Sequence, residues 1–206
     1  LFAAVQFSEL DEFTAGIEKM GIKIVTTLAK RKEKEGQILG CDCYPDAFKD
    51  PIIQNADLIL YIGDGMFHPK AILLAQAKEK HPKPFTMFDP VSDRMIEVSQ
   101  KDIAEQIKRK IRNLKLFMNA NTIGILVTTK PGQQYMKWSL ELKEQYEKDK
   151  DQNKKAYIFV DDTLNMAHME NYPFVDVWVN SACPRIGTDD IVNIEQPLIN
   201  IRDAFD

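Results

Sequence analysis

Short apolar runs that alternate with longer helical patterns constrain this chain more than anything else in it. Residues 57–62, 85–88, 122–128, 156–160 and 175–179 are rich in β-branched and aromatic side chains, which suits buried strands. Between several of them lie helical patterns, at 70–80, 101–118 and 134–149. Strands separated by helices of that length cannot be simple hairpins, and they imply parallel sheets with right-handed crossovers. The expected fold class is therefore α/β, with two similar parallel-sheet domains over residues 1–119 and 120–206. A chain of 206 residues can bury a core in each.

Other elements follow from local signals. Residues 1–7 read as a strand and Ser8 as the N-cap of a helix to about Met20, with Leu10, Phe13, Ile17 and Met20 on one apolar face. Gly21 ends that helix, and residues 22–28 read as the next strand. The charge run at 30–35 reads as a solvated loop, and 46–55 as helical. Pro69 is expected to open the helix at 70–80. The helix at 101–118 sets Ile103, Ile107, Ile111, Leu114 and Met118 on one face, leaving Lys108, Arg109, Lys110, Arg112 and Lys115 as a solvated basic side. A turn is expected at 129–134, a charged tail at 149–155 and helix at 162–171. The chain opens inside an apparent core strand without an initiator methionine, so it is expected to begin at a domain boundary.

Composition narrows the function classes. Lys plus Arg number 27 against 31 Asp plus Glu, a net charge of −4, which speaks against broad non-specific nucleic-acid binding. No apolar run approaches the length of a membrane span, and no signal-peptide pattern is present. Three cysteines in so long a chain do not make a secreted disulfide framework, so a reducing, cytoplasmic setting is expected.

The chemistry concentrates where strands end. After 175–179 the sequence breaks into Asn180-Ser181-Ala182-Cys183-Pro184. Proline stops regular pairing, leaving a thiol at the carboxyl end of a strand, where open α/β sheets bind ligands. Plain burial is the alternative for such a cysteine. Earlier, Gly40 allows close backbone approach just before Cys41. Gly63-Asp64-Gly65 lacks the third glycine of a dinucleotide fingerprint, and Asp64 would repel a phosphate. No Walker-type lysine loop occurs, and His68 reads equally as a base or as a structural ring. Cys41, Cys43 and Cys183 leave two options open, a zinc site without an evident fourth ligand or an iron–sulfur cluster. The C-x-x-x-C-x-x-C run of common radical enzymes is absent.

Three motifs in order carry a resemblance: Gly36-Gln37-Ile38-Leu39-Gly40-Cys41, Gly63-Asp64-Gly65-Met66-Phe67-His68-Pro69, and Asn180-Ser181-Ala182-Cys183-Pro184-Arg185-Ile186. Together they resemble the diphthamide synthesis enzymes, the 2-(3-amino-3-carboxypropyl)histidine synthases. The resemblance covers essentially the whole chain as the second and third of that family's three similar α/β domains. The lack of long insertions looks more like the archaeal homodimeric branch.

The resemblance implies a 4Fe-4S cluster held by three cysteines, one per domain. Cys41 matches the second-domain ligand and Cys183 the third-domain ligand, while the first domain and its cysteine are absent from these residues. It further implies S-adenosylmethionine bound at the open iron, and radical transfer of its 3-amino-3-carboxypropyl group to a histidine of translation elongation factor 2. Cys43 has no counterpart and is expected to be a bystander. The strand ends of both domains are expected to line the ligand cleft, through Gly63, Asp64, Gly65, His68, Pro69, Asp89, Lys130, Gly132 and Gln133. Lys130 or Gln133 would meet the carboxylate of S-adenosylmethionine. The rival expectation is a non-catalytic partner or truncated relative that binds a cluster or nucleotide without transfer. A polypeptide of these residues alone is expected to be inactive.

Overall fold

The apolar runs build two sheets, one in each of two units, Leu1–Ile103 and Ala104–Asp206. The computed structural model describes residues 1–7, 9–29, 35–148 and 154–205. The Ser8 cap, positions 30–34 of the charge run and positions 149–153 of the charged tail lie outside the described residues.

In the first unit the elements are β1 (Phe2–Ala3), α1 (Asp11–Lys19), α2 (Ile52–Asn55), β2 (Ile59–Ile62), α3 (Phe67–Ala75), β3 (Phe85–Asp89) and β4 (Arg94–Val98). Strands β1, β2 and β3 pair in parallel, and β4 adds an antiparallel edge. That edge strand is a departure from the all-parallel expectation. Asp89 makes it possible, because its carboxylate accepts from the Val91 and Ser92 amides and from the Ser92 hydroxyl, closing a hairpin turn.

Other expectations for this unit need correction. The strand at 1–7 shrinks to β1, because Phe7 N donates to Ala4 O and turns Val5–Phe7 into a 3-10 helix. Residues 22–28 form no strand. They make isolated bonds to loops, Gly36 N to Thr27 O and Lys49 N to Leu28 O, with no neighbouring strand among the described residues to propagate a ladder. The helix at 46–55 is two short pieces, a 3-10 turn at Pro45–Ala47 and α2. Helix α3 starts before Pro69, which occupies its first turn, where a missing N–H costs nothing. Helix α1 forms with Gly21 in the left-handed region after it, yet none of its residues is buried and Met20 is 75% exposed.

The second unit holds α4 (Ala104–Asn119), β5 (Thr122–Thr128), α5 (Met136–Glu147), β6 (Lys155–Asp161), β7 (Val177–Asn180), β8 (Leu198–Asn200) and α6 (Ile201–Phe205). Its sheet is wholly parallel in the order β6-β5-β7-β8. Ile123, Ile125, Val127, Val177, Val179 and Ile199 fill one face against Leu142 and Tyr146 of α5. Fully burying such side chains is worth about 1.5–3 kcal/mol each. The other face buries Leu126, Trp178, Leu198, Met169 and Ile191. Gly124 makes room there, since a methyl on it would lie 2.6 Å from the Trp178 ring.

Helix α4 clusters with the second unit, so the units divide at Ile103 and Ala104 rather than near residue 119. The apolar stripe read from the sequence faces inward only in part: Ile103 is buried and Leu114 packs on the core. Ile111 is 51% and Met118 68% exposed, whereas Asn113 is buried and donates to Leu198 O at 2.9 Å. Lys110 reaches Asp203 at 2.7 Å and Arg109 reaches Ile191 O at 3.0 Å. Buried carbonyls and a buried carboxylate need partners, and that need overrides hydrophobic periodicity. The region at 162–171 is a 3-10 helix over Met166–Asn171, with the Asn165 side chain accepting from Ala167 N. Strand β8 and α6 went unread in the sequence.

Candidate functional site

Cys183 stands three residues past the end of β7, half-buried, on a loop held by several hydrogen bonds. Asn180, the last residue of β7, accepts from Ala182 N at 3.0 Å and donates to Cys183 O at 2.8 Å. Ile186 N donates to the same carbonyl at 3.1 Å. Asn180 also donates to Asn200 Oδ1 at 2.7 Å, and Asn200 donates to Pro184 O at 2.8 Å. Ser181 ties the loop to β5 through both its amide and its hydroxyl, each bonded to Leu126 O. Beyond it, Arg185 and Asp189 pair through Nε at 2.8 Å, and Thr188 bonds back to Pro184 O and Arg185 O. Burial, and then the charge of Asp189, hold the Asp190 carboxyl above its ordinary value.

Cys41 is also half-buried, while Cys43 is buried. The stretch before it runs beside β1, with a bridge between Ala3 and Gln37 and a bond from Ala3 N to Gly36 O. Asp42 closes the loop, its carboxylate accepting from Leu39 N at 2.7 Å and its own amide donating to Leu39 O. Gly40 lies flat against the Phe67 ring, and any Cβ there would collide with it. The close approach expected at Gly40 therefore exists, and it joins the first motif to the second.

The second motif follows β2. Gly63 sits against the Tyr61 hydroxyl and Ala4, so a Cβ would come within 2.7 Å of that oxygen. Gly65 has a left-handed φ of 65° and open space around it. Asp64 is exposed and accepts from Gln6 at 2.8 Å. His68 stacks on Tyr61 with centroids 6.5 Å apart and meets Phe67 edge-on. Pro69 is buried in α3. The Tyr61 hydroxyl is buried without a hydrogen-bond partner among the described residues. Burial, with a smaller push from Asp64, raises its pKa to about 12. An open groove of about 420 Å³ runs along this end of the sheet, past Gln6, Leu10, Phe13, Ile62, Phe88 and Pro90.

In the second unit, Lys130 and Gly132 are exposed on the turn after β5 and Gln133 is half-buried. Thr128 shapes that turn by accepting from Lys130 N and donating to Asp162 O. Gly132 takes a φ of 75°, and Gln133 N donates to Lys130 O. Gly65 and Lys130 are both exposed. Asp89 differs from the rest, since its carboxylate is engaged in the β3–β4 turn. Those bonds, from Ser92 first, hold its carboxyl below the usual range.

No three His, Cys, Asp or Glu side chains gather as a metal-binding group among the described residues. Each unit instead offers one half-buried thiol on a braced loop, a donor that fits thiolate ligation of an iron–sulfur cluster. Sequence reading missed Asn200, Asp42, Gly187 and Tyr61, and had Asn180 only as part of a motif. Asp42 adjoins a cysteine and could have been suspected. Asn200 lies too far along the chain to leave a local signal.

A sequence model of the diphthamide synthesis protein family matches residues 1–205. Among curated proteins, 2-(3-amino-3-carboxypropyl)histidine synthase of Methanocaldococcus jannaschii is 30% identical over 150 residues, 71% of this chain and 41% of that protein. The Pyrococcus horikoshii enzyme of the same name is 27% identical over 174 residues, 82% of this chain and 44% of that protein. Subunit 1 of the Yarrowia lipolytica synthase is 29% identical over 172 residues, 83% of this chain and 36% of that protein. The chain thus spans less than half the length of these relatives, which come from both the archaeal and the eukaryotic branches. Among solved structures, Dph2 of Pyrococcus horikoshii with a 4Fe-4S cluster aligns at a TM-score of 0.75 and 22% identity, over 98% of this chain and 54% of that one.

Proposed function

The chain belongs to the diphthamide synthesis protein family, and on that premise we propose that it serves the first step of diphthamide biosynthesis. The step is transfer of the 3-amino-3-carboxypropyl group from S-adenosylmethionine to a histidine of translation elongation factor 2. The observation that carries this reading is the pair of half-buried thiols, Cys41 and Cys183, on loops braced against their own sheets. Relatives under the synthase name support the reaction, and the cluster in the Pyrococcus horikoshii Dph2 crystal supports the cofactor.

When bound, a 4Fe-4S cluster with one iron left open would supply the electron that breaks a sulfur–carbon bond of S-adenosylmethionine. The residues of this chain do the rest. Cys41 and Cys183 are the residues of this chain that would hold it. Gly63 and Gly65 keep side chains away from the end of β2, so backbone groups can approach a ligand. Lys130, or Gln133 beside it, meets the substrate carboxylate with a charge-assisted bond. Asp64 and His68 border the same strand end, with Pro69 fixing the turn below them. Asp89 acts indirectly, by holding Pro90 at the groove.

Assembly as a homodimer and a cytoplasmic setting belong to the same proposal. Anaerobic, dithionite-reduced full-length protein, given carboxypropyl-labelled S-adenosylmethionine and elongation factor 2, should place label on one histidine. Absence of label with a cluster present would favour the rival reading, a partner that binds a cluster without transfer. These 206 residues supply two of the three cysteines implied, so a polypeptide made of them alone should not label the factor.

A further inference from the structure

We infer that Asn180 and Asn200 are positioning residues for the Cys183 thiol, an interlocked amide pair that fixes the ligand loop to the sheet before any cluster is bound. The inference rests on reading Cys183 as a cluster ligand. Asn180 and Asn200 are direct partners in the β7–β8 register, so the pair forms a rung across two parallel strands. Both are buried, at 1% and 2% exposure. A buried amide is costly unless its bonds are made, and these are made in one direction. One amide oxygen and two donors of the pair reach Ala182 N, Cys183 O and Pro184 O, backbone atoms of the cysteine and of its two neighbours. The remaining bond joins the two side chains to each other.

Packing supports the same reading. Gly187 lies against the Asn200 side chain, leaving no room for a methyl group, so the far end of the loop is pressed onto the pair. Pro184 removes one backbone donor and limits its own φ. The Cys183 carbonyl accepts from two donors, the Asn180 side chain and Ile186 N. Supporting groups of this kind orient metal ligands and tune the metal they hold.

A control exists in the same unit. Asn113 is also buried and donates to a backbone carbonyl, but that carbonyl is Leu198 O, away from the cysteine loop. The test compares Asn180→Ala, Asn200→Ala and Asn113→Ala in the full-length protein, with two readouts. In cluster-free protein, iodoacetamide labelling of Cys183, scored by peptide mass spectrometry against Cys41, should speed up several-fold in the first two variants only. After anaerobic reconstitution, those two should lose cluster in air about 10-fold faster, with an altered electron paramagnetic resonance signal, while Asn113→Ala keeps the wild-type signal.

Equal behaviour of all three variants would overturn the inference and reduce the pair to core packing. If the alanine variants do not fold, wild-type amide exchange decides instead. The Ala182 and Ile186 amides should exchange far more slowly than Gln133 on the open turn, and exchange as fast as Gln133 would overturn the clamp. Iron uptake undiminished by Cys183→Ala would overturn the cluster reading alone, because labelling is read on cluster-free protein.

Discussion

The two cysteine loops present the same half-buried thiol by different means. At Cys183 the support is internal to a sheet: two buried asparagines on neighbouring strands, with Gly187 wedged against one of them. At Cys41 the support includes an aspartate-closed turn and a glycine lying on the Phe67 ring, which is 53% exposed. A ring at the surface can swing aside, whereas a buried amide with its bonds made cannot. The same close glycine contact should therefore be rigid in one loop and forgiving in the other.

That contrast gives the largest expected effect. Gly187→Ala should destabilise the second unit by about 1–3 kcal/mol, the usual range for overpacking. Gly40→Ala should cost less than about 1 kcal/mol, because Phe67 can yield toward solvent. Denaturant unfolding of the two variants checks both figures. Equal losses would mean that Phe67 is as fixed as Asn200, and the comparison would fail.

A smaller effect is expected at Tyr61, behind the second motif. Its hydroxyl is buried without a partner among the described residues, so Tyr61→Phe removes an unmet donor. The change should be neutral or stabilise by up to about 1 kcal/mol. A clear loss of stability, read by the same unfolding curves, would reveal a partner for the hydroxyl and a more tightly tied Gly63 turn.

The smallest effect concerns pH. Burial raises the Asp190 carboxyl above its ordinary value of 3.8, and Asp189 adds to the rise. The folded state therefore binds this proton more readily than the unfolded chain. Its contribution is most favourable below pH 3.8 and is lost as pH rises through the folded value. Asp190→Asn should leave stability at neutral pH equal or slightly higher, and should flatten the acid side of the stability–pH curve. A neutral-pH loss would mean that the carboxylate makes a bond worth more than its burial costs.

Much of the fold could be read from periodicity because a strand needs only a short apolar run and a neighbour. Thr122–Thr128 forms as read, and 57–62, 85–88 and 156–160 differ only at their ends. Periodicity failed where polar groups had to be satisfied. Helix α4 turns Asn113 and Lys110 inward because Leu198 O and Asp203 require partners that no local pattern announces. Residues 22–28 had the composition of a strand but no neighbouring strand to pair with among the described residues. At the site, the cysteines and glycines stood out as punctuation between elements. Asn200 did not, since its role depends on a register between β7 and β8 that only folding creates.

Under the proposed function Cys41 and Cys183, and not Cys43, are the thiols that would hold a cluster. Iron content and electron paramagnetic resonance of anaerobically reconstituted full-length protein test it directly, across Cys41→Ala, Cys43→Ala and Cys183→Ala. The account predicts that Cys41→Ala and Cys183→Ala each lose most of the iron and the wild-type signal, while Cys43→Ala, altering a buried thiol, keeps both. Retention of the signal in Cys41→Ala together with its loss in Cys43→Ala would contradict the account.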